Sequence, residues 1–151
     1  MSEPGQTDSH NTSKNNSGKQ LGALDLGSNS FHLLIAQENR GRIQILDKHK
    51  EMVRLAEGLD DRNRLSEVAI QRALECLERS AQRLRSVDPE NVRVVGTNTL
   101  RKASNAGEFI KLAQQTLGYS IEIISGREEA RLIFLGVNHD LGGDETRRLI
   151  C

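Results

Sequence analysis

Leu21–Ala36 reads L-G-A-L-D-L-G-S-N-S-F-H-L-L-I-A, two short apolar runs separated by the polar turn Gly27–Ser30. Runs that are apolar at nearly every position fit strands buried within a sheet, and a tight turn between them sets them antiparallel as a hairpin. Downstream, Asn39–Arg42 with Gly41 predicts a second turn, and Ile43–Leu46 a third strand whose extension to Leu55 stays open. Three strands joined by turns make an antiparallel βββ meander.

Beyond a polar, irregular stretch at Leu55–Leu65 the period changes. Ile70, Ala73, Leu74, Leu77, Ala81 and Leu84 recur at steps of three and four, which predicts an amphipathic helix. Ser66 suits its N-cap, Glu67 suits the dipole of its first turn, and Asp88-Pro89 ends the segment. Val92–Val95 reads as a β-branched strand. Asn105 with Glu108 resembles a capping box, opening a helix that Gly118 closes. Ile121–Ile124 reads as a strand, and Ser125 with Glu128 as a second capping box for a helix to about Val137. Leu149–Cys151 looks like the start of another strand. The order is therefore βββ followed by αβαβα(β). Alternation of strand and helix in the second half implies parallel strands with right-handed crossovers. The fold class expected is α/β, a mixed sheet with helices packed on its faces.

Composition bounds the function. The chain has 151 residues with 21 Lys plus Arg against 21 Asp plus Glu. Zero net charge argues against a general electrostatic binder of nucleic acid, which would show a basic excess. Three Phe, one Tyr and no Trp leave few rings for stacking bases. No apolar run is long enough for a transmembrane segment. Residues 1–20 are a Ser/Asn/Thr/Gly/Lys tract without apolar side chains after Met1, expected to be a disordered leader and not a secretory signal. Residues 21–151 are expected to form the folded domain. Cys76 and Cys151 have no Cys or His at metal-ligand spacing, and Cys76 falls on the helical apolar pattern as a small buried hydrophobe. Without a disulfide framework the expected compartment is the cytoplasm.

Three segments interrupt the apolar rhythm at strand ends, where open α/β sheets place ligands. In D-L-G-S-N-S, Asp25 sits within an apolar strand, and a metal ion or strong donors would relieve the cost of burying its carboxylate. Gly27 permits close backbone approach, and Ser28, Asn29 and Ser30 add short polar groups able to cradle an anion. An ordinary hairpin turn would use the same Gly and Asn. In G-T-N-T-L-R, Thr97 and Asn98 offer donors, and Arg101 can hold a phosphate bidentately or stand as a solvated charge. In S-G-R-E-E-A-R, Glu128 is expected to serve the N-cap amide. Glu129, about 100° further round the helix, is then left to act as a base, unless the four charges simply form a solvated face. Lys48, Lys50 and Arg54 would share one face if residues 43–55 stay extended. They would steer a polyanion, or merely protect an edge strand.

Taken together, A-L-D-L-G-S-N-S-F-H-L-L-I-A, V-G-T-N-T-L-R-K-A-S-N-A and I-E-I-I-S-G-R-E-E-A-R-L-I-F-L-G-V closely resemble the exopolyphosphatase/guanosine pentaphosphate phosphatase family. The likeness runs from about Leu21 to Cys151. It implies a ribonuclease-H-like fold of the actin-like ATPase superfamily. Asp25–Ser30 then match the first phosphate loop, with Asp25 near the metal, and Thr97, Asn98 and Arg101 approach the transferred phosphoryl group. Ser125 and Gly126 are expected to bind phosphate in the same site, and Glu129 matches the proposed general base. The resemblance also implies Mg²⁺, often with K⁺, a homodimer when intact, and release of orthophosphate from polyphosphate or hydrolysis of guanosine pentaphosphate. A non-catalytic phosphate- or nucleotide-binding module is the alternative of another class, but it would have no need of a base at Glu129.

The family continues past a strand like Arg148–Cys151 into a second Gly-rich phosphate loop, before which this sequence stops. The sequence is accordingly expected to be the N-terminal part of a larger enzyme. Purified as 151 residues it should release negligible orthophosphate from polyphosphate. Measurable turnover by this piece alone would contradict that expectation.

Overall fold

The computed structural model describes residues 18–128, 130 and 131. Its elements are β1 (Lys19–Leu26), β2 (Ser30–Asn39), β3 (Arg42–Met52), α1 (Glu67–Leu84), β4 (Val92–Gly96), α2 (Asn98–Lys102), α3 (Ala106–Leu117) and β5 (Glu122–Ile123). They build one mixed sheet of order β3-β2-β1-β4-β5, antiparallel across the first three strands and parallel across β1, β4 and β5. Short polar turns produce the antiparallel part; helical crossovers produce the parallel part.

Register explains why the apolar runs sit where they do. On β1, Gly22, Leu24 and Leu26 lie opposite Ile35, Leu33 and Phe31 on one side and Val92, Val94 and Gly96 on the other. All nine are buried, and they form one face of the sheet. Ala73, Leu77 and Leu84 of α1 join the same core with Phe109, Ala113 and Leu117 of α3. Leu84 sits so close to Gly22 that a Cβ there would come within 2.7 Å of Leu84 Cδ2. Each large side chain buried in this way contributes about 1.5–3 kcal/mol.

The edge strand β3 turns Asp47, His49 and Glu51 toward α1, where Arg83 bonds Asp47 at 2.9 Å and Arg79 grips both oxygens of Glu51. The Arg79 guanidinium holds the Glu51 carboxyl below its usual range. Cys76 is buried beneath them, as expected of a small hydrophobe. Burial, reinforced by Glu51, pushes its thiol up to about 12, so it stays protonated and unreactive.

Several expectations hold. Ser66 caps α1, its hydroxyl accepting from Ala69 N–H at 3.2 Å, and Gly118 closes α3 in the left-handed conformation (φ 82°). The turn after β2 is the two-residue Arg40–Gly41, both at positive φ, which matches the twist of a hairpin. Others need correction. β1 begins at Lys19, two residues inside the stretch expected to be a leader; residues 1–17 lie outside the described residues. β3 takes the longer course left open for it, to Met52, with a bulge at Leu46 that the spacing did not indicate. The strand expected at Ile121–Ile124 pairs only at Glu122–Ile123. The helical turn α2 was not anticipated. The expected strand at Leu149–Cys151, and the last helix beyond Arg131, lie outside the described residues. Among the described residues no helix is long and apolar enough to cross a membrane.

Asn105 is the clearest correction. It makes no side-chain cap bond. Its Oδ1 accepts from Leu65 N–H at 2.8 Å and its Nδ2 donates to the Leu65 carbonyl at 3.0 Å. Asn105 is buried, and an unpaired peptide group at that depth costs more than a helix cap returns, so the loop claims the amide. Asn105→Ala should therefore cost ~1–3 kcal/mol in urea denaturation, and Asn105→Asp, which loses the donor, a similar amount. Unchanged midpoints would assign the loop's anchoring elsewhere.

Candidate active site

Strands β1, β4 and β5 run parallel, so their C-terminal ends share one edge of the sheet, and the three polar segments emerge there together. The contacts are specific. Thr97 N–H and Oγ1 both lie 3.4 Å from the Leu26 carbonyl, tying the exit of β4 to the exit of β1. Thr99 Oγ1 donates to Ser28 Oγ at 2.8 Å. Ile124 N–H donates to the Gly96 carbonyl at 3.1 Å, and Arg101 Nη1 to the Ile124 carbonyl at 2.7 Å.

The Gly27–Asn29 turn is held from its other side by the chain leaving β3. Ala56 N–H donates to the Ser28 carbonyl at 2.9 Å and Arg54 N–H to the Asn29 carbonyl at 2.7 Å. A trans peptide is planar with its N–H opposed to its C=O. Fixing those two carbonyls toward residues 54–56 therefore turns the amides of Asn29 and Ser30 to the opposite side of the turn. Oriented backbone N–H groups of this kind are how a short turn receives an anion.

The expected site residues fall into place unequally. Asp25 is half-buried with its Oδ1 enclosed, in register with Val95 of β4 and His32 of β2. Gly27 and Ser28 are half-buried and Asn29 is exposed. Ser30 is buried, its hydroxyl 2.8 Å from His32 Nε2. Asn98 is exposed, whereas Thr97 is 3% exposed and faces the Leu26 carbonyl, so its side chain fastens the site from within. Arg101 is no loose surface charge, because its guanidinium reaches Ile124, and a Cβ at Gly126 would lie 3.7 Å from its Nη2. The Arg101 head thus stands beside the exposed Ser125–Gly126 segment.

Ser125 Oγ accepts from Glu128 N–H at 3.2 Å, half of the expected capping box. The other half is absent. The Glu128 carboxylate is gripped by Arg131 Nε and Nη2 at 2.9 and 2.7 Å, which holds its pKa below the usual range. A charged fork one turn along the helix outcompetes a neutral amide. Glu129 lies outside the described residues.

Lys48 and Lys50 are exposed on β3, and Lys50 continues the row Val95–Asp25–His32 across the sheet. Arg54 does not join them as expected. The extended chain ends at Met52, and Arg54 adopts a left-handed conformation (φ 52°, ψ 48°) with its side chain 4.0 Å from Glu57. Thr99 and His32 were missed by sequence reasoning, since their partners depend on register and on a contact 71 residues away.

Among the described residues no group of three His, Cys, Asp or Glu side chains is placed to cage a metal. Asp25 offers a single carboxylate. That donor set fits Mg²⁺, which is commonly held by one or two carboxylates plus substrate phosphates and water.

This sheet order, with the three motifs gathered at the ends of its parallel strands, defines a ribonuclease-H-like domain of the actin-like ATPase class. Residues 34–151 match the Ppx/GppA phosphatase family, and the chain belongs to that family. It is similar to the solved Aquifex aeolicus member of the Ppx/GppA family (26% identity, TM-score 0.75), covering 83% of this chain and 41% of that one. It is also similar to an exopolyphosphatase from Cytophaga hutchinsonii (32% identity, TM-score 0.75; 80% and 39% covered). A third relative is an exopolyphosphatase-like protein (27% identity, TM-score 0.78; 86% and 40% covered). The chain spans about two-fifths of the length of these relatives.

The turn geometry generates a direct check. A Cβ on residue 27 would stand 2.6 Å from the Ser30 carbonyl oxygen, a backbone atom that cannot swing aside. Gly27→Ala should destabilise by ~1–3 kcal/mol, as overpacking does. It should also displace the Asn29 and Ser30 amides. Wild-type stability with unshifted amide resonances for residues 28–30 would show that the turn has room to spare.

Proposed function

We propose that the full-length protein is a phosphoanhydride hydrolase that removes terminal orthophosphate from inorganic polyphosphate. The convergence of the Gly27–Ser30 turn, the Thr97–Arg101 segment and Ser125–Gly126 at one edge of the sheet carries this reading. Family membership and the exopolyphosphatase among its relatives support it.

In this reading the amides of Asn29 and Ser30, with the hydroxyl of Ser28, receive the terminal phosphates, and Asn98 adds a donor from the facing segment. Arg101, anchored through Ile124, presents its guanidinium where negative charge develops during transfer. Asp25 would hold Mg²⁺, which when bound neutralises phosphate oxygens. Glu129 takes the proton of the attacking water, the role its family motif implies, and a positioned base of this kind contributes ~10²–10⁴-fold. K⁺ is a candidate second cation by family resemblance alone. Lys48 and Lys50 lie on the row of Asp25 or one pleat from it and would attract an extended anion.

Polymer rather than guanine nucleotide is favoured by the exopolyphosphatase among the chain's relatives. We also assign the protein to the cytoplasm, from its cysteine usage, and to a homodimer, from family resemblance.

In full-length protein, Glu129→Gln should lower kcat on polyphosphate by ~10²–10⁴-fold with KM nearly unchanged. Near-wild-type kcat would remove Glu129 as the base. A higher kcat/KM on guanosine pentaphosphate than on polyphosphate would reverse the substrate assignment.

A further inference from the structure

One residue far along the sequence from every motif is wired to the phosphate turn. Arg72 stands on α1, half-buried, and its guanidinium donates from Nε to the Val53 carbonyl (2.5 Å) and from Nη2 to the Arg54 carbonyl (3.1 Å). These two carbonyls flank Arg54, whose left-handed backbone (φ 52°) is a conformation that side chains with a Cβ seldom adopt. The fork thus grips the peptide groups on both sides of a strained residue.

The peptide joining Val53 to Arg54 is held at both ends. Its oxygen takes the Arg72 Nε–H, and its N–H donates to the Asn29 carbonyl at 2.7 Å. The Asn29 carbonyl in turn belongs to the peptide whose N–H is that of Ser30. Guanidinium, peptide, carbonyl and amide form one hydrogen-bonded row in which every dipole points the same way. A cation at its head polarises each bond along it, and successive bonds strengthen one another. The Ser30 N–H is the far end of that row.

We propose that Arg72 is a positioning residue for the phosphate turn. Through the left-handed Arg54 peptide it fixes the Asn29 carbonyl, and so aims and polarises the Ser30 amide toward the anion. This rests on the reading of Gly27–Ser30 as a phosphate site. Arg72 touches no substrate, and its charge acts through two peptide groups.

The test is calorimetric binding of inorganic orthophosphate to full-length protein in Mg²⁺, with urea midpoints alongside. Arg72→Met should raise the Kd about five- to twentyfold, the scale of losing a charge-assisted bond softened by distance. Arg72→Lys keeps the charge but not the fork, and should still raise the Kd at least about threefold. Glycine adopts the left-handed conformation without the clamp. In an Arg54→Gly background, therefore, the further effect of Arg72→Met should fall below about threefold.

Wild-type affinity in Arg72→Lys would show that charge alone matters and would overturn the proposal, whether or not Arg72→Met folds. An Arg72→Met loss that persists undiminished beside Arg54→Gly would also overturn it. Both outcomes leave the phosphate site standing if Ser28→Ala weakens binding. Should wild-type protein bind no orthophosphate, or Ser28→Ala bind it unchanged, the site reading falls and this proposal with it.

Discussion

Strand β1 is bonded on one side to β2 running against it and on the other to β4 running with it, and everything else in the domain follows from that double pairing. The antiparallel partner returns the chain at Gly27–Ser30; the parallel partner delivers Thr97–Arg101 to the same edge. Leu24 and Leu26 hold β1 in place, each about 1% exposed, beneath α1 and α3. A slip of one residue would turn both leucines to the opposite face and Asp25 into the core. The apolar core and the polar edge are thus specified by one register.

That register also explains how a chain without net charge can present the anion site proposed for it. The groups gathered at the edge are mostly backbone amides and short hydroxyls, oriented by bonds to Ala56, Arg54 and Thr99. Their dipoles are fixed before any ligand arrives and need no excess of Lys or Arg. Arg101 adds a formal positive charge, placed by the carbonyl of Ile124.

Local physics made much of this legible. The two apolar runs around Gly27–Ser30, the three-and-four spacing from Ile70 to Leu84 and the strand–helix alternation after it yield the mixed sheet directly. Ser66 and Gly118 act as their types suggest, each bonding within four residues. Asn105 and Glu128 do not. Each had a local capping role available and gave it to a stronger partner, Leu65 across the loop for Asn105 and Arg131 on the next turn for Glu128. The site followed the same division. Its motifs were visible as polar breaks at strand ends, but the Thr99–Ser28 bond and the left-handed turn at Arg54 depend on partners 18 to 71 residues away, which no short window of sequence contains. Arg54 would have shared a basic face had residues 43–55 stayed extended, but it lies two residues beyond the end of β3 in a left-handed conformation.

The central claim is that one phosphate-binding site is built by the β1–β2 turn and the β4–α2 segment together. The structure of full-length protein crystallised with orthophosphate and Mg²⁺ tests it most directly. The account predicts the anion within hydrogen-bonding distance of the Asn29 and Ser30 amides, with Asp25 on the metal and Arg101 facing the phosphate. Phosphate bound elsewhere, with that turn touching neither ion, would contradict it.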